Sequence, residues 1–365
     1  MTARRLMVKI GSSLLVDEAG RLRRDWLESL AADLAACRQQ AQEVIVVTSG
    51  AIALGRAALA LKARLLKLED KQAAAAVGQI NLAHAYQASL AQHGLATAQL
   101  LLTLGDTEDR RRYLNARSTI EALLRLGVVP VVNENDTVAT NEIRFGDNDR
   151  LSARVAVMAS ADELILLSDV DGLYTADPSR DPAAVRLGLV TEITPEIEAM
   201  AGGAGSLAGT GGMASKLVAA KIATRAGCSV IIAPGGPPRP LARLAEGGPG
   251  TRFPARANPR RARKEWIAGA LAAMGVLRID GGAARALRRG SSLLPAGVIA
   301  IEGSFERGDA VIVRDPDGRD IAKGLCAYDA DDARRISGHR TEQIAALLGY
   351  RGRDELIHRD DLVLL

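Results

Sequence analysis

The chain of 365 residues carries a net charge of +4 and is 48% hydrophobic but only 3% aromatic, so it is long enough for two or three domains of about 150 residues with aliphatic cores. Three well-separated cysteines, Cys37, Cys228 and Cys326, form no CxxC pair, which excludes a zinc ribbon or disulfide framework and suits a reducing cytoplasm. No apolar run approaches the roughly 18 residues of a membrane span, and Lys9 interrupts an N-terminus that has no cleavage-site pattern, so a soluble, unprocessed protein without a membrane partner is expected.

Residues 5–10 read as a strand ending at Gly11, Ser12 and Ser13. Leu27, Leu30, Ala31 and Leu34 then recur at helical spacing. A second buried strand, 43–47, runs into Thr48, Ser49 and Gly50, and an alanine-rich helix follows over 71–92. A strand at 97–102, a helix at 112–126 and the apolar run 127–132 lead to the polar stretch 133–149, NENDTVATNEIRFGDND. That stretch holds three Asp, two Glu and four Asn, and it reads as a loop at the end of a buried strand. A helix at 150–161, a strand at 163–167, a helix at 215–226 and a strand at 229–233 complete the alternation. Such βαβ grammar implies a mainly parallel sheet with helices on both faces, an α/β three-layer sandwich.

The grammar changes at Pro234, and 12 of the 26 residues from 234 to 259 are Gly or Pro. Residues 239–264 hold eight Arg or Lys and one Glu, leaving −3 for the rest of the chain, so the bulk is not a basic nucleic-acid binder. With only Phe253 to stack a base, this basic cluster is expected to be a solvated linker. Short apolar pieces at 297–301 and 310–313, broken by turn signals, then read as a small β-rich module.

Three strand ends suit phosphates: KIGSS at 9–13, TSGA at 48–51 and GTGGMASK at 209–216. Glycine lets backbone N–H groups approach an anion, and a helix start adds positive potential. None is a Walker A loop or GxGxxG, and each is weak alone. Together with the 133–149 loop they point to a nucleotide or phosphate site at the carboxyl edge of the sheet. Lys9, set between Val8 and Ile10, requires a counter-charge, and with Lys216 it would offset charge on a transferring phosphoryl group. Asp149 or Asp147 would orient these lysines or help hold magnesium. The four histidines, His84, His93, His339 and His358, lie outside the polar strand-end loops and read as structural. Ser49 lacks the GxSxG setting of a hydrolase nucleophile.

These pieces resemble the amino acid kinase family, in the branch that carries a C-terminal PUA domain. The matching blocks are VKIGSS, VIVVTSGAIALG, AVGQ at 76–79, LLT, YLNAR, VPVVNENDTVAT, GDNDRLSA, DGLYTADP and GTGGMASK, followed by RGSSLLPAGV, GRDIAKG and RRISGH. The resemblance implies a kinase domain over 1–258, a linker over 259–274 and a PUA domain over 275–355. It also implies ATP-dependent phosphorylation of the side-chain carboxylate of L-glutamate to L-glutamyl 5-phosphate, the first step of proline biosynthesis. Lys9, Lys216 and Asp149 would be catalytic, and Ser49, Asp136 and Asn148 would bind glutamate. Lys9, Gly11, Ser168, Asp169, Thr210, Gly211, Gly212, Met213, Ala214, Ser215 and Lys216 would line the ATP site, with Ser168 standing where related enzymes often carry Thr. Mg2+ with ATP is the implied cofactor, and no dedicated protein metal site is expected. Proline as inhibitor, a homo-oligomer (dimer or tetramer) and glutamate-5-semialdehyde dehydrogenase as recipient of the product are the implied partners. Kinases of other small acids and an RNA-binding protein are the competing readings. Few aromatics in the C-terminal module count against RNA as a partner.

Overall fold

The computed structural model describes residues 4–61, 66–139, 147–201, 212–255, 258–270 and 272–365. By its internal contacts the chain divides into two compact units, Met1–Pro259 and Arg260–Leu365.

The first unit runs β1 (Arg5–Ile10), α1 (Ser12–Leu15), α2 (Arg24–Gln39), β2 (Glu43–Val47), α3 (Ala51–Ala58), α4 (Leu68–Ala91), β3 (Thr97–Leu102), α5 (Leu104–Glu108) and α6 (Arg110–Arg125). It continues with β4 (Val129–Glu134), α7 (Asp147–Met158), β5 (Glu163–Ser168), α8 (Pro195–Met200), α9 (Met213–Arg225), β6 (Ser229–Pro234), α10 (Pro240–Ala245) and β7 (Thr251–Phe253). The sheet order is β3-β4-β2-β1-β5-β6-β7, parallel throughout except that β7 runs antiparallel to β6. The chain places β2 on one side of β1 and returns to place β5 on the other, so β1 and β5 form the switch point where such sheets open a ligand crevice.

Side chains alternate across a strand, and in β1 that period decides what meets what. Leu6, Val8 and Ile10 pack with α2, α4 and α10 through Leu27, Leu30, Leu34, Tyr86 and Leu241. Met7 packs on the opposite face with α6, α7 and α9 through Ile120, Leu151, Val155 and Leu217. Lys9 shares the parity of Met7, and this directs it to the face covered by α7 and α9.

Two sequence expectations change here. The stretch 133–149 is not one loop: Asn133 and Glu134 end β4, and 147–149 form the first turn of α7, where two carboxylates suit the positive end of a helix. Residues 140–146 of that stretch lie outside the described residues. The glycine- and proline-rich run after Pro234 packs as the last piece of the first unit, where α10 and β7 add to its core and sheet. Arg239 is not in a solvated linker: its guanidinium pairs with Asp33 of α2, whose other oxygen accepts from Leu241 N at 2.9 Å and Ala242 N at 3.3 Å at the start of α10.

The second unit contains α11 (Pro259–Ala270, its first residue in the first unit), β8 (Gly275–Ile279), α12 (Gly281–Arg288), β9 (Val298–Gly303), β10 (Ala310–Arg314), β11 (Asp320–Leu325), α13 (Ala330–Ile336), α14 (Ile344–Leu348) and β12 (Leu362–Leu364). Its five-stranded sheet has the order β12-β11-β10-β8-β9 and a separate aliphatic core around Leu277, Val311, Val313 and Ile357.

Candidate active site

Three charged side chains from three elements meet at the carboxyl edge of the first sheet. Lys9 Nζ lies 2.6 Å from Oδ1 of Asp149, and Lys216 Nζ lies 3.2 Å from Oδ2. Ser215 donates its hydroxyl to the same Oδ2 at 2.7 Å. Asp149 is fully buried and both lysines are nearly so. Lys9 comes from the end of β1, Asp149 from the first turn of α7 and Lys216 from the first turn of α9, two helices that pack on each other. Burial by itself would raise the Asp149 carboxyl, but Lys9 and Lys216 hold it below the usual carboxylate range. Burial pushes the Lys9 ammonium down, Asp149 counters this, and Lys216 adds to the lowering. Two ammonium groups on one carboxylate leave one positive charge in excess, in a place where water screens little. Such an array holds anions.

Beside it, the end of β2 carries a second polar network. Asn148 donates Nδ2 to Thr48 O at 2.9 Å and to Asn133 Oδ1 at 3.3 Å, and Asn133 donates Nδ2 to Gln79 Oε1 at 2.6 Å. Thr48 Oγ1 meets the buried hydroxyl of Tyr86 at 3.0 Å. Ser49 Oγ donates to Ile10 O at 2.7 Å, stitching the end of β2 to the end of β1. Gly50 then starts α3 with φ +100°, a left-handed conformation that favours glycine, and a Cβ there would also press on Val16. Asp136 is half-buried, and its carboxylate has no cation beside it among the described residues. Burial pushes its pKa up to about 6.

On the other side of β1, Ser168 ends β5 and donates its hydroxyl to the exposed Asp169 carboxylate at 2.9 Å. The negative charge of Asp169 acts on Lys9 and opposes in part the lowering that burial imposes on it. Gly11 follows directly on β1, and a Cβ added there would make only ordinary contacts, with Leu167 O at 3.8 Å and Ser13 Oγ at 3.9 Å. Gly212 caps α9, whose first turn is Met213, Ala214, Ser215 and Lys216. Thr210 and Gly211 lie outside the described residues, as does the side chain of Asp147. The histidines form no cluster, and no group of three or more His, Cys, Asp or Glu able to hold a metal ion occurs among the described residues.

Sequence reading did not single out Asn133, Gln79, Gln72 or Tyr86. Gln72, Gln79 and Tyr86 are seven residues apart on α4 and therefore share one face. Gln72 donates to Ala139 O at 3.0 Å, so all three reach the ends of β2 and β4. The signal was present as polar groups at a period of seven in an alanine-rich helix.

Two buried lysines on one carboxylate, at the switch point of a mainly parallel α/β sheet, suit the handling of phosphate groups. The chain belongs to the amino acid kinase family, which it matches over residues 4–234, and it matches the PUA domain over residues 275–348. It is 61% identical over 363 residues to a protein named glutamate 5-kinase from Paramagnetospirillum magneticum, covering 99% of this chain and 98% of that one. Glutamate 5-kinase from Rhodospirillum rubrum is 61% identical over 359 residues, covering 98% of this chain and 96% of that one. Among solved structures, carbamate kinase from Giardia lamblia bound to AMP-PNP superposes with a TM-score of 0.51 at 17% identity, covering 70% of this chain and 100% of that one. The UMP kinase from Ureaplasma parvum reaches 0.50 at 14% identity, with the same coverage. These two share the fold of the first unit.

Proposed function

We propose that this chain is an ATP-dependent glutamate 5-kinase. It transfers the γ-phosphoryl group of ATP to the side-chain carboxylate of L-glutamate. The observation that carries the reading is the buried Lys9–Asp149–Lys216 array, and the full-length likeness to proteins named glutamate 5-kinase supplies the substrate.

The acceptor carboxylate has a pKa of about 4.3 and is ionised near neutrality, so no general base is needed. One carboxylate oxygen attacks the γ-phosphorus, the bond to the β,γ-bridging oxygen breaks, and ADP leaves with that electron pair. The product is L-glutamyl 5-phosphate. The obstacle is repulsion between an anionic nucleophile and an anionic phosphoryl group, which preorganised cations reduce. Lys9 and Lys216 carry that role, and Asp149 holds them in position at a separation set by its two oxygens. Gly11, the turn from Gly212 to Lys216, Ser168 and Asp169 line the ATP side, and the family pattern adds Thr210 and Gly211. Ser49, Asp136 and Asn148 receive glutamate, with Asp136 as counter-charge to its α-ammonium.

ATP-dependent transfer of this kind requires a divalent ion, which lowers the charge on the phosphates. Both oxygens of Asp149 are taken by lysines, so Mg2+ would be held chiefly by ATP itself, as is usual for magnesium at phosphates. The remaining parts of the reading rest on the family pattern. They are domains at 1–258 and 275–355 joined by 259–274, feedback inhibition by proline in the glutamate site, a homo-oligomer, a cytoplasmic location, and delivery of the acyl phosphate to glutamate-5-semialdehyde dehydrogenase.

The test is ADP release by purified protein with ATP and Mg2+ and with glutamate, aspartate, N-acetylglutamate or no acceptor, using hydroxylamine to trap an acyl phosphate. ADP and hydroxamate only with glutamate, both abolished by chelation, are expected. Stimulation by another acceptor would overturn the substrate assignment.

A further inference from the structure

The hydrogen-bond chain on α4 has a direction, and its chemistry fixes that direction from one end. Thr48 O is a backbone carbonyl and only accepts, so the Asn148 atom 2.9 Å from it is the amide nitrogen. Asn148 Nδ2 also lies 3.3 Å from Asn133, which therefore presents its oxygen there and turns its own nitrogen to Gln79. Gln79 completes the chain by accepting at 2.6 Å. The consequence appears at the far side of Asn148. Its Oδ1 is buried, and no hydrogen-bond partner for it occurs among the described residues. A buried acceptor without a partner is costly unless a ligand supplies the donor.

Gln79 is itself held firmly. The neighbouring Gly78 packs on the backbone of α3, where an added Cβ would fall 1.8 Å from Ala51 O. Two turns further along the same face, Tyr86 braces Thr48, the residue whose carbonyl anchors the chain.

We propose that Gln79 is a positioning residue that supports, from the far end, the amide polarity that Thr48 O fixes in Asn148 and Asn133, so that the site offers the α-ammonium of its substrate an acceptor rather than a donor. This rests on the glutamate reading above and deepens it. Gln79 touches no substrate; it acts through two amides. A side chain at position 79 that accepts preserves the chain, and one that cannot accept lets Asn133 turn its own nitrogen toward Asn148 Nδ2, which sets two donors face to face and works against the hold of Thr48 O on Asn148. The selected group is a hydrogen-bond donor beside the reacting dicarboxylate, so a diacid lacking the amino group gains nothing from the relay.

The experiment compares wild type, Gln79→Glu and Gln79→Leu, with thermal midpoints to verify folding. The readouts are the KM for L-glutamate, the KM for ATP, and the inhibition constant of glutarate, which is glutamate without its amino group. Gln79→Leu is expected to raise the glutamate KM about tenfold, the scale of one hydrogen bond to a charged group, with the ATP KM and the glutarate constant little changed. Gln79→Glu, which only accepts when ionised, is expected to stay near wild type. An unchanged glutamate KM in Gln79→Leu, a glutarate constant that rises in step, or a Gln79→Glu variant as impaired as Gln79→Leu would each overturn the relay. Wild type that shows no glutamate-stimulated turnover would overturn the functional reading itself, and the relay with it.

Discussion

The Lys9 ammonium lies 2.6 Å from Oδ1 of Asp149, a fully buried carboxylate whose other oxygen lies 3.2 Å from the ammonium of Lys216. Neither lysine would be stable in this place alone, because a buried charge without a partner is strongly unfavourable. Asp149 is thus as much a structural residue as a functional one.

Replacing Asp149 by Asn should leave the Lys9 and Lys216 ammonium groups without the buried carboxylate that they share. A loss of roughly 3–5 kcal/mol, the usual cost of breaking a buried ion pair from one side, is expected in urea unfolding. The pH dependence has a definite sign. Asp149 has its folded pKa held below the ordinary 3.8, so its stabilisation is present above that value and disappears as pH falls through the folded pKa. Asp149→Asn should lack that acid limb, and an identical limb in both proteins would assign it to other carboxylates.

Lys216 sits in the first turn of α9, where charge on the transferring phosphoryl group would develop. Lys216→Ala should therefore lower kcat by about 10²–10³, the range seen when one transition-state donor is removed, while the glutamate KM changes little. Steady-state kinetics with each substrate varied separates the two. A raised KM with unchanged kcat would assign Lys216 to ground-state binding instead.

As the proposed counter-charge to the α-ammonium of glutamate, Asp136 should make glutamate binding sensitive to mild acid. Burial raises its pKa to about 6, and as counter-charge to an ammonium it must be ionised. Protonation below that value should raise the glutamate KM as pH falls from 7 toward 5, with the ATP KM steady. The raised pKa also means that ionised Asp136 costs the free protein stability, a cost absent at acid pH and growing as pH rises through about 6. Asp136→Asn should bind glutamate weakly at every pH and show a flat KM profile across this range. A wild-type profile that is flat as well would remove Asp136 from the substrate site.

Period and turn chemistry made most of the first unit legible. Residues 5–10, 43–47 and 97–102 are strands with those bounds, because each is a short β-branched or aliphatic run ended by a turn former. What escaped had a physical cause in each case. The start of α7 was hidden because Asp and Asn suit both loops and the first turn of a helix, and only tertiary packing chooses. Composition after Pro234 resembles a linker, yet Asp33 of α2, far away in sequence, holds the start of α10. Lys9 announced itself as a charge in an apolar strand. Gln79 did not, since a lone glutamine on a helix is ordinarily a solvated residue and its partner Asn133 lies on β4, far away in sequence.

Gly78 offers a test in which sign alone decides. On an exposed helix, Gly→Ala stabilises by about 1 kcal/mol through helix propensity. Here α3 and α4 approach so closely that a Cβ on Gly78 would fall 1.8 Å from Ala51 O, and one on Gly55 would fall 1.7 Å from Ala74 O. Both obstacles are backbone, so the helices must separate, and overpacking of this kind costs about 1–3 kcal/mol. The displaced α4 carries Gln79 and Tyr86, and α3 follows directly on Ser49 and Gly50. Gly78→Ala should therefore lower the thermal midpoint and raise the glutamate KM together, leaving the ATP side, built on β1, β5 and α9, less affected. A variant more stable than wild type would show that the contact between α3 and α4 accommodates a methyl group, and would detach α4 from the proposed glutamate site.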